Sequence, residues 1–240
     1  MTRLDIALFN YEDGGLQTAR RLADPTAQAR THDSLANASI MLGRFDDAHT
    51  HLSHALDLHA QADDPGGQAR THHYLGYLWE RRNDPKRALD HARQAHDLYQ
   101  AAGHHAGQAQ ALNNVGWYHA QLGDHQQALI ACQQALALLQ KLDNRVGQAN
   151  TWDSLGYAHH HLSNHTEAIT CYQHALMLFW DLGDRYNEAD VLTHLGNTHD
   201  AAGNPTAARD AWQQALTILT DLDHPDAASV RAKLQGLRTA

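Results

Sequence analysis

Cysteine is almost absent from this sequence: Cys132 and Cys171 are the only two in 240 residues. Two thiols without CxxC spacing build neither a disulfide framework nor a thiolate zinc site, so a reducing, cytoplasmic setting is expected. Long apolar runs are missing as well. Mean hydropathy is −0.58, and no basic stretch precedes a hydrophobic core at the N-terminus, which argues against a membrane partner and a secretory signal. Basic charge is scarce: 18 Lys and Arg stand against 27 Asp and Glu, a formal −9 at pH 7. With no basic block to follow a phosphate backbone, direct nucleic-acid binding is disfavoured. There is no Walker GxxxxGK[ST] motif, no HExxH and no alternating β-branched pattern.

What is present is a repeat of 40 residues. Gln28-Ala29, Gly67-Gln68-Ala69, Gly107-Gln108-Ala109, Gly147-Gln148-Ala149 and Asn187-Glu188-Ala189 fall in one register. Leu35, Leu75, Val115, Leu155 and Leu195 precede Ala36, Gly76, Gly116, Gly156 and Gly196 in the same frame. Further columns hold Ala48, Ala88, Ala128, Ala168 and Ala208, then Ala55, Ala95, Ala135, Ala175 and Ala215. The spacing never slips, so every loop has a fixed length.

Within a unit, apolar and small residues recur at three- and four-residue intervals, which predicts two amphipathic helices, A and B. In the third unit Leu112, Val115, Gly116 and His119 mark one face of helix A, and Ala128, Cys132, Ala135, Leu136 and Leu139 one face of helix B. Gly43, Gly123 and Gly203 suit a left-handed helix end. Asp84, Asp124, Asn164 and Asn204 suit an N-cap, with Pro85 and Pro205 at the next position. A longer connection between units is expected, carrying Pro25, Pro65 and Pro225 as stops for helix B. The Gly and Ala columns let helix backbones approach closely. One helix pair cannot bury its apolar face alone, so the expected fold is all-α: a right-handed superhelical solenoid of five helix-turn-helix repeats with terminal caps.

The units span 27–66, 67–106, 107–146, 147–186 and 187–226. Residues 1–26 read as an N-terminal partial helix pair or cap, and 227–240 as a C-terminal capping helix. Leu75-Gly76 with a larger residue three places earlier, then Ala88 and Ala95, resembles the tetratricopeptide repeat consensus. The first large position of that consensus holds His32, His72, Leu112, Trp152 and Leu192. Its aromatic position in helix B holds Leu52, Ala92, Cys132, Tyr172 and Trp212. The family repeat is about 34 residues long, and the extra length here implies longer helices or connections. The Gly-Gln-Ala openings also resemble the C-terminal arrays of actinobacterial transcriptional regulators and signal-transducing NTPases, which implies a sensory or partner-binding role.

The resemblance implies that the A helices line a concave groove holding a protein or peptide segment. The groove residues it picks out are Arg70, His73, Tyr77, Asn113, Asn114, Trp117, Asp153, Tyr157, His160, Asp190, His194 and Asn197. Tyr77, Trp117 and Tyr157 recur at the repeat spacing, and they serve either to recognise a partner or to wedge adjacent A helices. A peptide carboxylate clamp of the family kind lacks its lysine here. Self-association as a homo-oligomer is the rival binding reading. An enzyme using Asp153, His160, Asp190, His194 and Asp200 is the rival from another class, with Asp190 and His194 one helical turn apart.

Histidine is abundant, 21 of 240. The His161/His165 pair straddles the turn between A and B, and His159, His160 and His161 point in different directions around a helix, so no metal and no cofactor is expected. His119, His159 and His199 recur at a packing position and are assigned a structural role.

Overall fold

The structure, a computed structural model, describes residues 24–237. The N-terminal segment read as a partial helix pair therefore lies, through residue 23, outside the described residues. Eleven helices and no strand occur among the described residues. They are α1 (Pro25–Met41), α2 (Phe45–Gln61), α3 (Pro65–Arg81), α4 (Pro85–Ala101), α5 (His105–Gln121), α6 (His125–Lys141), α7 (Arg145–His161), α8 (His165–Leu182), α9 (Arg185–Ala201), α10 (Pro205–Asp221) and α11 (Ala227–Gly236).

The 40-residue period is filled by two helices of 17 residues and two three-residue turns, except that α8 has 18 residues and the turn after it two. Among the described residues the links between successive units are as short as those within them; the longer link, residues 222–226 with Pro225, joins α10 to α11. Both kinds of turn are built alike, with a left-handed residue every 20 positions from Gly43, Asp63 and Asn83 through to Asp223, at φ between 50° and 86°. At the first turn Gly43 N–H donates to Ile40 O at 3.0 Å and Arg44 N–H to Ser39 O at 2.8 Å, a Schellman closure that satisfies the last carbonyls of the helix. Asp, Asn or Ser takes the left-handed position where glycine does not, and Asp and Asn are the side chains that tolerate it best.

Pro25 and Pro65 open α1 and α3 at their first turn. They start the next helix instead of stopping the previous one, because proline has no N–H and the first helical N–H has no partner anyway. Of the expected N-caps, Asp84 accepts from Arg87 N–H at 3.1 Å. Asp124, Asn164 and Asn204 occupy cap positions but make no capping hydrogen bond.

The described residues form two compact units, divided between Tyr118 and His119 inside α5. In the first, Ala36, Ile40, Ala48, Leu52, Leu75 and Leu78 make one buried cluster and Ala88, Leu89, Ala92 and Tyr118 another. In the second, α7 packs on α8 and α9 on α10, and Val230 of α11 closes the last cluster against Trp212, Ile218 and Leu219. The alanine columns at 48, 88, 128, 168 and 208 and at 55, 95, 135, 175 and 215 are all fully buried. Where helix B carries a ring, helix A carries a glycine beneath it. A Cβ on Gly156 would lie 2.5 Å from the Tyr172 ring, and one on Gly196 would lie 2.4 Å from Trp212. Each ring so buried contributes about 1.5–3 kcal/mol of transfer free energy.

Candidate functional site

In the first unit the polar residues of one A helix reach the next. Asp33 on α1 is buried, yet it accepts from Thr71 Oγ1 at 2.7 Å and from Arg70 Nε at 3.0 Å on α3. His59, fully buried at the end of α2, completes the group, with Nε2 3.2 Å from Arg70 Nη2 and Nδ1 3.0 Å from Asp64 Oδ2. Arg70 is therefore engaged by a buried carboxylate, which a buried charge requires.

His73 faces Asn114 of α5, whose Nδ2 donates to the ring Nδ1 at 3.0 Å. Burial holds the His73 imidazole below its ordinary pKa, which leaves that nitrogen free to accept. Tyr77 Oη points at Met41 Sδ, 3.7 Å away. Trp117 Nε1 donates to Glu80 Oε1 at 2.5 Å and Tyr118 Oη to Glu80 Oε2 at 3.3 Å, so one carboxylate anchors two adjacent rings. Burial, reinforced by Glu80, pushes the Tyr118 phenol well up. Asn113 is buried, so of the two asparagines Asn114 is the one nearer the surface.

In the second unit the corresponding centre is His194 on α9. Its Nδ1 lies 2.9 Å from Asp153 Oδ1 on α7, and one ligand-type atom each of Asp153, Asp190 and His194 lies within 4.8 Å of the others. Burial works against the charge on His194, but the Asp153 charge, the hydrogen bond to it and Asp190 outweigh that and push the imidazole up to about 9. Asp190 is raised by its burial and by Asp153 and Asp226, against the opposing pull of His194. The hydrogen-bonding partner of His194 thus comes from the neighbouring A helix, while Asp190, one turn earlier on α9, adds its charge.

Tyr157 flanks the centre, its ring centroid 5.9 Å from that of His194 and 4.4 Å from that of His161. Thr198 Oγ1 donates to His194 O at 3.0 Å and lies 2.9 Å from His160 Nδ1. Asn197 lies apart from this centre, in a cleft with Asp200, Trp212 and Lys233. His160, His161 and His159 meet Thr198, His125 and Asn164 respectively, three different neighbours. His119 sits 3.4 Å from Asp124, so it and His159 contact the residue that begins the next helix.

A histidine protonated through neutral pH and held to a carboxylate is a poor general base. The two thiols are no better placed as nucleophiles, since burial pushes Cys132 up to about 12 and Cys171 up to about 11. What the Asp153–His194 pair does is tie α7 to α9 by charge. Asp153→Asn is expected to bring the His194 pKa down from about 9 to its ordinary value or below, because burial then faces only Asp190; imidazole proton shifts followed by NMR against pH measure it. An unchanged titration would assign the shift to another charge.

Sequence reasoning did not single out Glu80 or Thr198. Contacts between successive A helices join residues either 37 apart, about a helical turn short of the repeat, as in Asp33–Arg70 and Glu80–Trp117, or 41 apart, one residue beyond it, as in His73–Asn114 and Asp153–His194. Those offsets are the signal by which they are found.

Tandem helix pairs with buried small-residue columns and left-handed turns define an α-helical repeat protein. The tetratricopeptide repeat family matches residues 26–101, 68–141 and 147–221, and the chain belongs to that family. No curated protein matches it by sequence. Among solved structures it is similar to BtubC (BKLC) from P. vanneervenii, with 22% identity over 94% of this chain and 95% of that one, at a TM-score of 0.77. It is also similar to a signal transduction ATPase with numerous domains from Pyrococcus horikoshii, which carries a tetratricopeptide repeat sensor (16% identity, 98% of this chain, 38% of that one, TM-score 0.71). A Rap protein complexed with competence and sporulation factor is similar at 15% identity over 98% of this chain and 70% of that one, with a TM-score of 0.71. At these identities the likeness establishes the fold. No described helix is long and apolar enough to cross a membrane.

Proposed function

We propose that this chain is a binding scaffold whose A-helix faces take a protein or peptide segment, and that it serves as the sensor part of a bacterial regulator. The observation carrying the reading is the ladder of half-buried polar and aromatic side chains, Tyr77, Asn114 and Trp117 in the first unit and Tyr157, His160 and His194 in the second, each positioned by a neighbour. Side chains ordered in advance lose little entropy on binding, and an aromatic edge with flanking amides suits an extended segment. The tetratricopeptide repeat sensor of the ATPase and the Rap protein complex support a sensory role by shared architecture.

Affinity capture from the source organism, followed by titration of the captured segment, tests this. Trp117→Ala and Tyr157→Ala are each expected to weaken binding by about 2 kcal/mol, roughly 30-fold, with folding largely retained. Loss of the thermal midpoint with unchanged affinity per folded molecule would make these rings packing residues. Self-association is a second reading, favoured by Met177 and Trp180, one turn apart on α8 and 57% and 69% exposed. Light scattering on wild type and Trp180→Ala separates the two.

A further inference from the structure

The histidine excess is not absorbed by the binding face, and in the first unit it is organised. His32 on α1 and His51 on α2 stand Nδ1 to Nδ1 at 2.9 Å, and His72 on α3 and His91 on α4 stand Nδ1 to Nδ1 at 3.1 Å. The two pairs occupy the same two positions of successive repeats. The following three repeats place Leu112 with Ala131, Trp152 with Cys171, and Leu192 with Ala211 there, so both members of the pair change together. A third imidazole adjoins the first pair: the His54 ring, one turn beyond His51, lies 5.1 Å from that of His32.

We propose that these are two transition-metal sites, His32/His51 and His72/His91, each taking one divalent ion of imidazole preference such as zinc through paired Nδ1 atoms. Zinc–imidazole bonds of about 2.0–2.1 Å in tetrahedral geometry put two donor nitrogens about 3.4 Å apart, a few tenths of an ångström wider than found here. A small rotation of either ring supplies the difference. Two Nδ1 atoms this close share one proton between them; with that proton moved to Nε2, both lone pairs face the ion and the pair remains neutral. Water completes the coordination of each ion. Among the charged groups on these helices, Asp90 and Arg87 act on His91 in opposite senses, and Asp46 is engaged by Arg82.

The test is calorimetric titration of untagged protein with Zn2+ at pH 7.5, with Mg2+ as the control ion. His32→Leu/His51→Ala and His72→Leu/His91→Ala copy the Leu112/Ala131 pair of the third repeat and so preserve the fold. His51→Gln and His91→Gln provide a milder second set. Each double variant is expected to bind one Zn2+ fewer than wild type, and the quadruple variant two fewer. The thermal midpoint of wild type should rise with Zn2+ but not with Mg2+, and most of that rise should vanish in the quadruple variant. Wild type and quadruple variant taking up the same number of ions would overturn the proposal and leave the pairs as N–H···N hydrogen bonds, as would wild type failing to bind Zn2+.

Discussion

Gly156→Leu is expected to destabilise the second unit by about 3 kcal/mol, at the upper end of what overpacking a close helix contact costs. The reason is local. A Cβ at position 156 would sit 2.5 Å from Tyr172 Cε1 and 2.7 Å from Cδ1, and Tyr172 is fully buried with no direction in which to retreat. Gly196→Leu should behave alike against Trp212. Gly76→Ala is the contrasting case, because its new methyl would find Ala88 O at 3.4 Å and the Tyr118 ring at 3.6 Å, contacts that are tight or ordinary but not forbidden. The chain also contains its own compensation: the first repeat carries Ala36 with Leu52 where the fourth carries Gly156 with Tyr172. Gly156→Ala/Tyr172→Leu should therefore recover much of the stability that Gly156→Ala alone loses. Urea unfolding followed by circular dichroism measures all of these, and a Gly156→Leu protein with a wild-type midpoint would show that the helices do not cross closely there.

The thermal midpoint should fall by several degrees between pH 7 and pH 5, and it should also fall between pH 7 and pH 9.5. On the acid side, burial holds His72, His73, His91, His159, His160, His161 and His199 below the ordinary value, with His91 adding to the effect on His72. Below about pH 6.5 the unfolded chain takes protons that these folded groups refuse, so stability present above that pH is lost as pH drops toward the folded values. His194 has the opposite sign. Burial opposes its charge, but Asp153 and Asp190 raise it to about 9 despite Lys233, so its contribution is complete below pH 6.5 and lost as pH rises through 9. His194→Gln should flatten the alkaline arm and leave the acid arm in place. A midpoint that rises from pH 7 to pH 5 would mean the buried histidines are charged in the folded state. Solubility should be lowest near the pI of about 6.1, where net charge vanishes.

The helix pairs, the fixed period and the close-packed columns are legible without coordinates because each depends on local spacing. A residue three or four positions from its like shares a helix face, and an alanine recurring at 48, 88, 128, 168 and 208 has to occupy equivalent surroundings. The left-handed glycines at 43, 123 and 203 were equally visible, since only glycine adopts that conformation without cost. Pro25 and Pro65 were misplaced because a proline in a short link can either stop one helix or open the next; only the turn geometry shows that these two open the next. Which polar groups meet was decided by tertiary structure. Asp153 reaches His194, Glu80 reaches Trp117 and His72 reaches His91 across helices whose relative offset is set by how ridges of side chains interlock, and no spacing within one helix contains that offset. The same packing sets the sign of each histidine's pKa shift, because an imidazole buried beside a second imidazole and one buried beside a carboxylate differ only in what the neighbouring helix brings to it.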